Sequence, residues 1–79
     1  MAGENDRKIG KTIREIRMRQ GMSQRDLARK LGMPQSLMEE VENGTYALRL
    51  TDVFFCAEAL GFDTHDLMHE FGQAIRERS

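Results

Sequence analysis

The residues able to carry chemistry favour recognition over catalysis. Cys56 is the only cysteine, so no intrachain disulfide and no multi-cysteine metal site can form. Nothing near it in sequence suggests an activated nucleophile, and a buried or interface thiol is expected. His65 and His69 stand four residues apart with Asp66 and Glu70 nearby, a spacing that sets two imidazoles on one helical face. A third ligand at a dependable position is missing, so surface histidines and no metal are expected. No nucleophile–base pair, phosphate-binding glycine loop or paired carboxylates in a plausible pocket can be picked out, so no enzyme, cofactor or small-molecule substrate is expected. The remaining candidate is a polar row, Gln35, Ser36, Glu39 and Glu40, interleaved with Leu37, Met38 and Val41. If Met38 and Val41 face inward on a helix, those four residues share one outward patch. A glutamine amide can bond bidentately to adenine N6 and N7, serine can donate or accept, and glutamate can accept from cytosine N4. The chemistry on offer is hydrogen bonding to base edges.

Such a row needs elements to hold it. Strand signals are weak, and the apolar pattern is helical throughout. Ile9, Ile13 and Ile16 form the stripe of a first helix that ends where Gln20 meets Gly21. Ser23 and Asp26 are spaced as a capping box, with Met22 and Leu27 as a hydrophobic staple, and together they start a second helix. Leu27, Ala28 and Leu31 form its buried face, and Gly32 ends it by accepting a left-handed conformation without a Cβ clash. After Gly32-Met33-Pro34, a third helix carries the polar row and ends at Asn43-Gly44. A loop over Thr45–Arg49 leads to a fourth helix with Val53, Phe54, Ala57 and Leu60 inward, stopping at Gly61. Asp63, Asp66, Phe62 and Leu67 repeat the start signal for a fifth. The segment 72–79 either extends that helix or frays. The fold class predicted is all-α, a five-helix bundle.

The chain has 79 residues, which allows one domain (1–79, with a core over about 7–71). A chain of this size buries only about 60–65% of its unfolded surface, so the core must be economical. Net charge is −1, but it is segregated: residues 1–31 hold nine Lys/Arg against four Asp/Glu, and residues 32–79 hold three against nine. One electropositive and one acidic face are therefore expected. No apolar run reaches the roughly 18–20 residues that span a bilayer, and Met1–Gly10 is too polar for a signal peptide. A soluble, cytoplasmic protein without a membrane partner is the expectation.

Two short helices joined by a three-residue turn containing glycine make a helix-turn-helix. With Ile13-Arg14-Glu15-Ile16-Arg17, Gly21-Met22-Ser23-Gln24-Arg25-Asp26-Leu27-Ala28, Leu31-Gly32, Val41-Glu42-Asn43-Gly44 and Ala59-Leu60-Gly61 in order and in register, the chain resembles the Cro/phage-repressor-like (XRE-type) helix-turn-helix family. The resemblance covers residues 7 to about 70. It implies a lambda-repressor-like bundle whose third helix enters the major groove of double-stranded DNA. It implies base contacts from Gln35, Ser36 and Glu40, with Glu39 beside them on the outward face. It gives Gln24 a phosphate contact and a bracing role, and it makes Asn43, Thr45 and Tyr46 a phosphate-contacting loop. Arg17 and Glu42 match a buried salt bridge between the first and third helices. Arg25, Arg49 and the other cations of the first two helices would neutralise backbone phosphates.

Two positions depart from the family pattern. Pro34 stands where a serine or threonine is usual, which removes a capping hydroxyl. Glu39 and Glu40 put two carboxylates on the face that should approach a polyanion. They serve either cytosine recognition with rejection of wrong sites, or a solvated acidic face on a domain that does not bind DNA. Phe55, Met68, Phe71 and Ile75 lie beyond the expected core and suggest a dimer interface. The function predicted is a homodimeric transcriptional regulator, by default a repressor, on a palindromic operator. The alternative is a protein-interaction module, adaptor or antitoxin-like, on the same fold.

Overall fold

Four of the five helices begin where a nearby side chain accepts from a backbone N–H. The computed structural model describes residues 3–77, and Met1 and the end of the 72–79 tail lie outside the described residues. In helix α1 (Glu4–Arg19), the Gly3 N–H donates to the Asp6 carboxylate at 2.8 Å. Its first turn is acidic and its last basic, as the helix dipole favours. Helix α2 (Gln24–Leu31) opens on a reciprocal box: Asp26 N–H donates to Ser23 Oγ at 3.0 Å, and Ser23 N–H to Asp26 Oδ2 at 3.2 Å. Those bonds from Ser23 hold the Asp26 carboxyl below its usual pKa.

Helix α3 (Gln35–Asn43) starts without a side-chain cap. Pro34 occupies the capping position in extended conformation, and its carbonyl accepts from Leu37 N–H at 3.0 Å and Met38 N–H at 3.2 Å. The ring costs nothing there, because no intrahelical acceptor awaits a proline N–H. The turn from α2 passes through Gly32 at φ +67°, a conformation that a Cβ would disfavour.

Helices α4 (Leu50–Leu60) and α5 (Thr64–Arg76) complete the bundle. In α4, Arg49 N–H donates to Asp52 Oδ2 at 2.9 Å. In α5 the Asp63 carboxylate accepts from His65 N–H at 2.8 Å, whereas Asp66, expected as its capping-box partner, lies 3.8 Å from the exposed His65 Nδ1. Helix α5 runs on past Phe71 to Arg76, so most of the 72–79 segment extends the helix. The Lys8 ammonium lies 3.4 Å from the Ile75 and Glu77 carbonyls, tying the end of α5 to α1.

All five helices contribute to one core, in which Ile13, Leu27, Met38, Cys56, Ala57 and Leu67 are fully buried. Two expectations are corrected. Phe54 is not inward: it is 46% exposed, and Cys56 takes the buried place. The inward stripe of α4 is Val53, Cys56, Ala57 and Leu60, a regular i, i+3, i+4, i+7 set; Phe54 sits one turn from the exposed Leu50 and shares its outward line. Phe71 is not interface material either. It follows Leu67 by one turn on the buried side of α5 and is 3% exposed.

Candidate nucleic-acid interface

The candidate surface is the outward face of α3, and its position depends on how closely α1 approaches from behind. Met38 and Val41 anchor the inner side of α3 at 0% and 1% exposure. A Cβ built on Gly10 would lie 2.2 Å from the Val41 carbonyl oxygen, and one built on Gly44 would lie 2.3 Å from Arg7 Cα. Only glycine permits backbones to meet this closely, and Gly44 also has φ +79°. Gly10 was not singled out in the sequence. Its neighbours are Ile9 and Lys11 in an ordinary amphipathic run, and a glycine inside a helix gives no local sign of what crosses it.

Arg17 and Glu42 form a buried, bidentate ion pair. Arg17 Nε donates to Glu42 Oε2 at 2.7 Å and Nη2 to Oε1 at 3.0 Å, while Nη1 donates to the Met22 carbonyl at 2.8 Å. The side chains are 10% and 3% exposed. One pair thus joins α1, the start of the helix-turn-helix and the last turn of α3. The contacts continue outward: Gln24 Nε2 donates to Glu42 Oε1 at 3.1 Å, and Gln35 Nε2 lies 3.5 Å from Gln24 Oε1. Gln24 is half-buried and Gln35 exposed. The bracing role that the resemblance implies for Gln24 thus has Glu42 as its partner, a pairing that depends on how far α2 and α3 are brought together.

Gln35, Ser36, Glu39 and Glu40 are all exposed, on consecutive turns of the same face. Among the described residues, neither Glu39 nor Glu40 forms an ion pair. Arg25 is exposed at the start of α2, and Asn43 at the end of α3. Thr45 is exposed, and its N–H and Oγ1 both bond the Glu40 carbonyl, at 2.9 and 3.2 Å, which closes the turn after α3. Tyr46 is half-buried against the core, so its ring is chiefly a packing element. Arg49 is exposed, with its Nε 3.7 Å from Asp52. Of the nine cations in residues 1–31, Arg7, Lys11, Arg14, Arg19, Arg25, Arg29 and Lys30 are exposed.

The other groups with chemical potential lie elsewhere. Cys56 is buried, and desolvation, reinforced by Asp52, pushes its thiol up to about 11. His65 and His69 are exposed on α5, His69 Nε2 lying 3.2 Å from Gln73 Nε2. Among the described residues no group of three or more metal-ligating side chains is assembled, and no helix is long and apolar enough to cross a membrane. Of the proposed interface residues, Phe55 and Met68 are 54% and 45% exposed, and Ile75 is half-buried. Leu50 and Phe54, at 74% and 46% exposure, extend the apolar surface of α4.

Comparison with known proteins agrees with this arrangement. No curated protein matches the sequence. Among solved structures, the restriction-modification controller protein C.AhdI from Aeromonas hydrophila is similar at 33% identity, over 77% of this chain and 92% of that one, with a TM-score of 0.72. The controller protein C.Esp1396I, crystallised as a tetramer with its natural 35 base-pair operator, has a similar fold. Its TM-score is 0.85 at 20% identity, over 95% of this chain and 99% of that one. The clp gene regulator ClgR from C. glutamicum gives a TM-score of 0.84 at 20% identity, over 96% and 99% of the two chains. The family model described as "Helix-turn-helix domain" matches residues 8–71. The chain therefore belongs to the helix-turn-helix domain family, in the Cro- and phage-repressor-like form that its sequence resembles.

Proposed function

We propose that this protein is a sequence-specific, double-stranded-DNA-binding transcriptional regulator, acting as a homodimer in the cytoplasm, with repression as its default outcome. The observation that carries the reading is the exposed row Gln35, Ser36, Glu39 and Glu40 on a helix clamped from behind at Gly10 and through Arg17–Glu42. A rigidly held polar face of that composition can match base edges in the major groove. The exposed Arg25, Asn43, Thr45 and Arg49, together with Gln24, would meet the sugar–phosphate backbone. The exposed cations of α1 and α2 supply the sequence-independent attraction. Glu39 and Glu40 then oppose that attraction wherever the base edges offer them no donor, which sharpens discrimination between sites.

The apolar residues Leu50, Phe54, Phe55 and Met68 support association through α4 and α5. The protomer measures 31 × 26 × 23 Å, a size compatible with two recognition helices set about 34 Å apart, one helical turn of DNA. The similarity to C.AhdI and to operator-bound C.Esp1396I supports the same reading. No catalytic or cofactor role is proposed.

Mobility-shift selection from random duplexes at several salt concentrations tests the proposal. The expected result is an enriched, roughly palindromic motif whose affinity falls by about 0.9 log units per log unit of salt for each phosphate neutralised. Selection of no motif would defeat it. Capture of a stoichiometric protein partner by a chain without DNA affinity would establish the interaction-module alternative instead.

A further inference from the structure

We propose that two copies of this chain associate with their α5 helices crossing in contact at Gly72, each backbone entering the gap that the other leaves there. This rests on the homodimer reading and adds the point at which the two protomers meet most closely. Glycine inside a helix costs stability relative to alanine, because it loses the most backbone freedom on folding. Gly10 and Gly72 both lie inside helices, and only Gly10 has a reason within the protomer. A Cβ there would lie 2.2 Å from the Val41 carbonyl oxygen. At Gly72 the nearest atoms to a built Cβ are the tip of Arg76, with both Nη atoms at 3.4 Å and Cζ at 3.7 Å. A methyl group fits there, and a guanidinium on a flexible stem can swing aside. The protomer by itself would be better served by alanine.

The missing side chain opens a gap in an apolar line. Met68 precedes Gly72 by four residues and Ile75 follows it by three, the spacings that share one helix face. Met68 is 45% exposed, and Gly72 and Ile75 are half-buried. The occupant that this surface fits is a second copy. A standard-size interface takes about 800 Å² from each partner, somewhat over half of it apolar. At the exposures of Leu50, Phe54, Phe55 and Met68, side chains of about 150–200 Å² offer roughly 400 Å² of apolar surface, close to that need. A two-fold axis at Gly72 sets glycine against glycine, so both helices lack a Cβ at the one place where each must. The axes can then approach more closely than the usual 8–10 Å or so, with Cα–H to carbonyl contacts at the crossing.

The test measures self-association and stability side by side for the wild-type chain, Gly72→Ala, Gly72→Leu and Gln73→Ala. At dilutions where sedimentation shows monomer, Gly72→Ala should raise the unfolding temperature by about 3–8 °C, the gain expected of a better helix former. The same substitution should weaken self-association by about fivefold or more, and Gly72→Leu by about 100-fold or more, because each fills the crossing. Gln73→Ala, one residue on and facing elsewhere, should leave association within about twofold of wild type. In the wild-type chain, the Gly72 resonances should move with protein concentration together with those of Met68 and Ile75. A Gly72→Ala monomer less stable than wild type would place the need for glycine inside the protomer and overturn the crossing. A wild-type dimer that Gly72→Leu leaves intact, or whose Gly72 resonances do not move on association, overturns it while the homodimer stands. A wild-type chain that is monomeric at every concentration, with and without duplex, removes both.

Discussion

The two exposed surfaces of this bundle are built on opposite principles. The face of α3 is polar, and its shape is held by directional contacts that run inward from Gln35 through Gln24 to the buried Glu42 and Arg17. The outer faces of α4 and α5 expose Leu50, Phe54, Phe55 and Met68, with a T-shaped Phe54–Phe55 contact at 5.5 Å between ring centroids. A hydrogen-bonding surface must be ordered before its partner arrives, because an unpaired or misaligned donor costs more than a good one returns. An apolar surface needs only matching shape and area, because the hydrophobic effect has no direction. Under the proposed function, recognition of a base pattern and of a second copy would thus make different demands on the same small core.

The comparison can be broken most forcefully at its buried end. Glu42→Ala leaves the Arg17 guanidinium uncompensated and should destabilise the fold by about 3–5 kcal/mol, read from urea or thermal unfolding. An effect below about 1 kcal/mol would mean that the polar face is not held from within. Phe71→Ala should cost a similar amount, about 3–5 kcal/mol, because the ring lies in the protomer core. Phe55→Ser should leave monomer stability nearly unchanged and instead weaken self-association by about 2 kcal/mol or more, measured by sedimentation equilibrium. Equal effects of the two Phe variants on both quantities would erase the distinction between core and interface.

On the polar face, Gln35→Ala should cost about 1–3 kcal/mol on the preferred duplex and relax selectivity at one base pair. The same loss on every duplex would show that Gln35 does not read bases. The smallest effect concerns pH. The Cys56 thiol is raised from 9.0 to about 11 in the folded state, so its neutral form favours folding. That contribution is complete below about pH 9 and is lost as pH rises through about 11. Cys56→Ala should flatten the stability profile between those values, and an unchanged slope would place the cause elsewhere.

How far the sequence could be read varied from residue to residue for physical reasons. Ser23–Asp26 and Gly32 act within one turn, so types and spacing were enough to mark the ends of α2. The outward row of α3 followed from the inward Met38 and Val41 alone, because helical periodicity leaves one arrangement. Phe54 was misassigned because α4 is apolar on both sides: Leu50, Phe54 and Phe55 carry as much hydrophobicity as Val53, Cys56 and Ala57. Where a helix has two greasy faces, periodicity no longer says which one the core takes. Phe71 was displaced for a related reason: α5 packs on both α1 and α4, and how far along α5 that burial reaches is not a local property.

By itself, then, the sequence determined five helices, the stops of the first four, the starts of the second and fifth, and the polar composition of the third helix's outer face, all properties of residues within a turn or two of each other. Tertiary structure alone decided that Gly10 admits the α3 backbone, that Gln24 reaches Glu42, and which phenylalanines stay outside. Those outcomes depend on distances between segments far apart in the chain, and no local pattern of side chains encodes such distances.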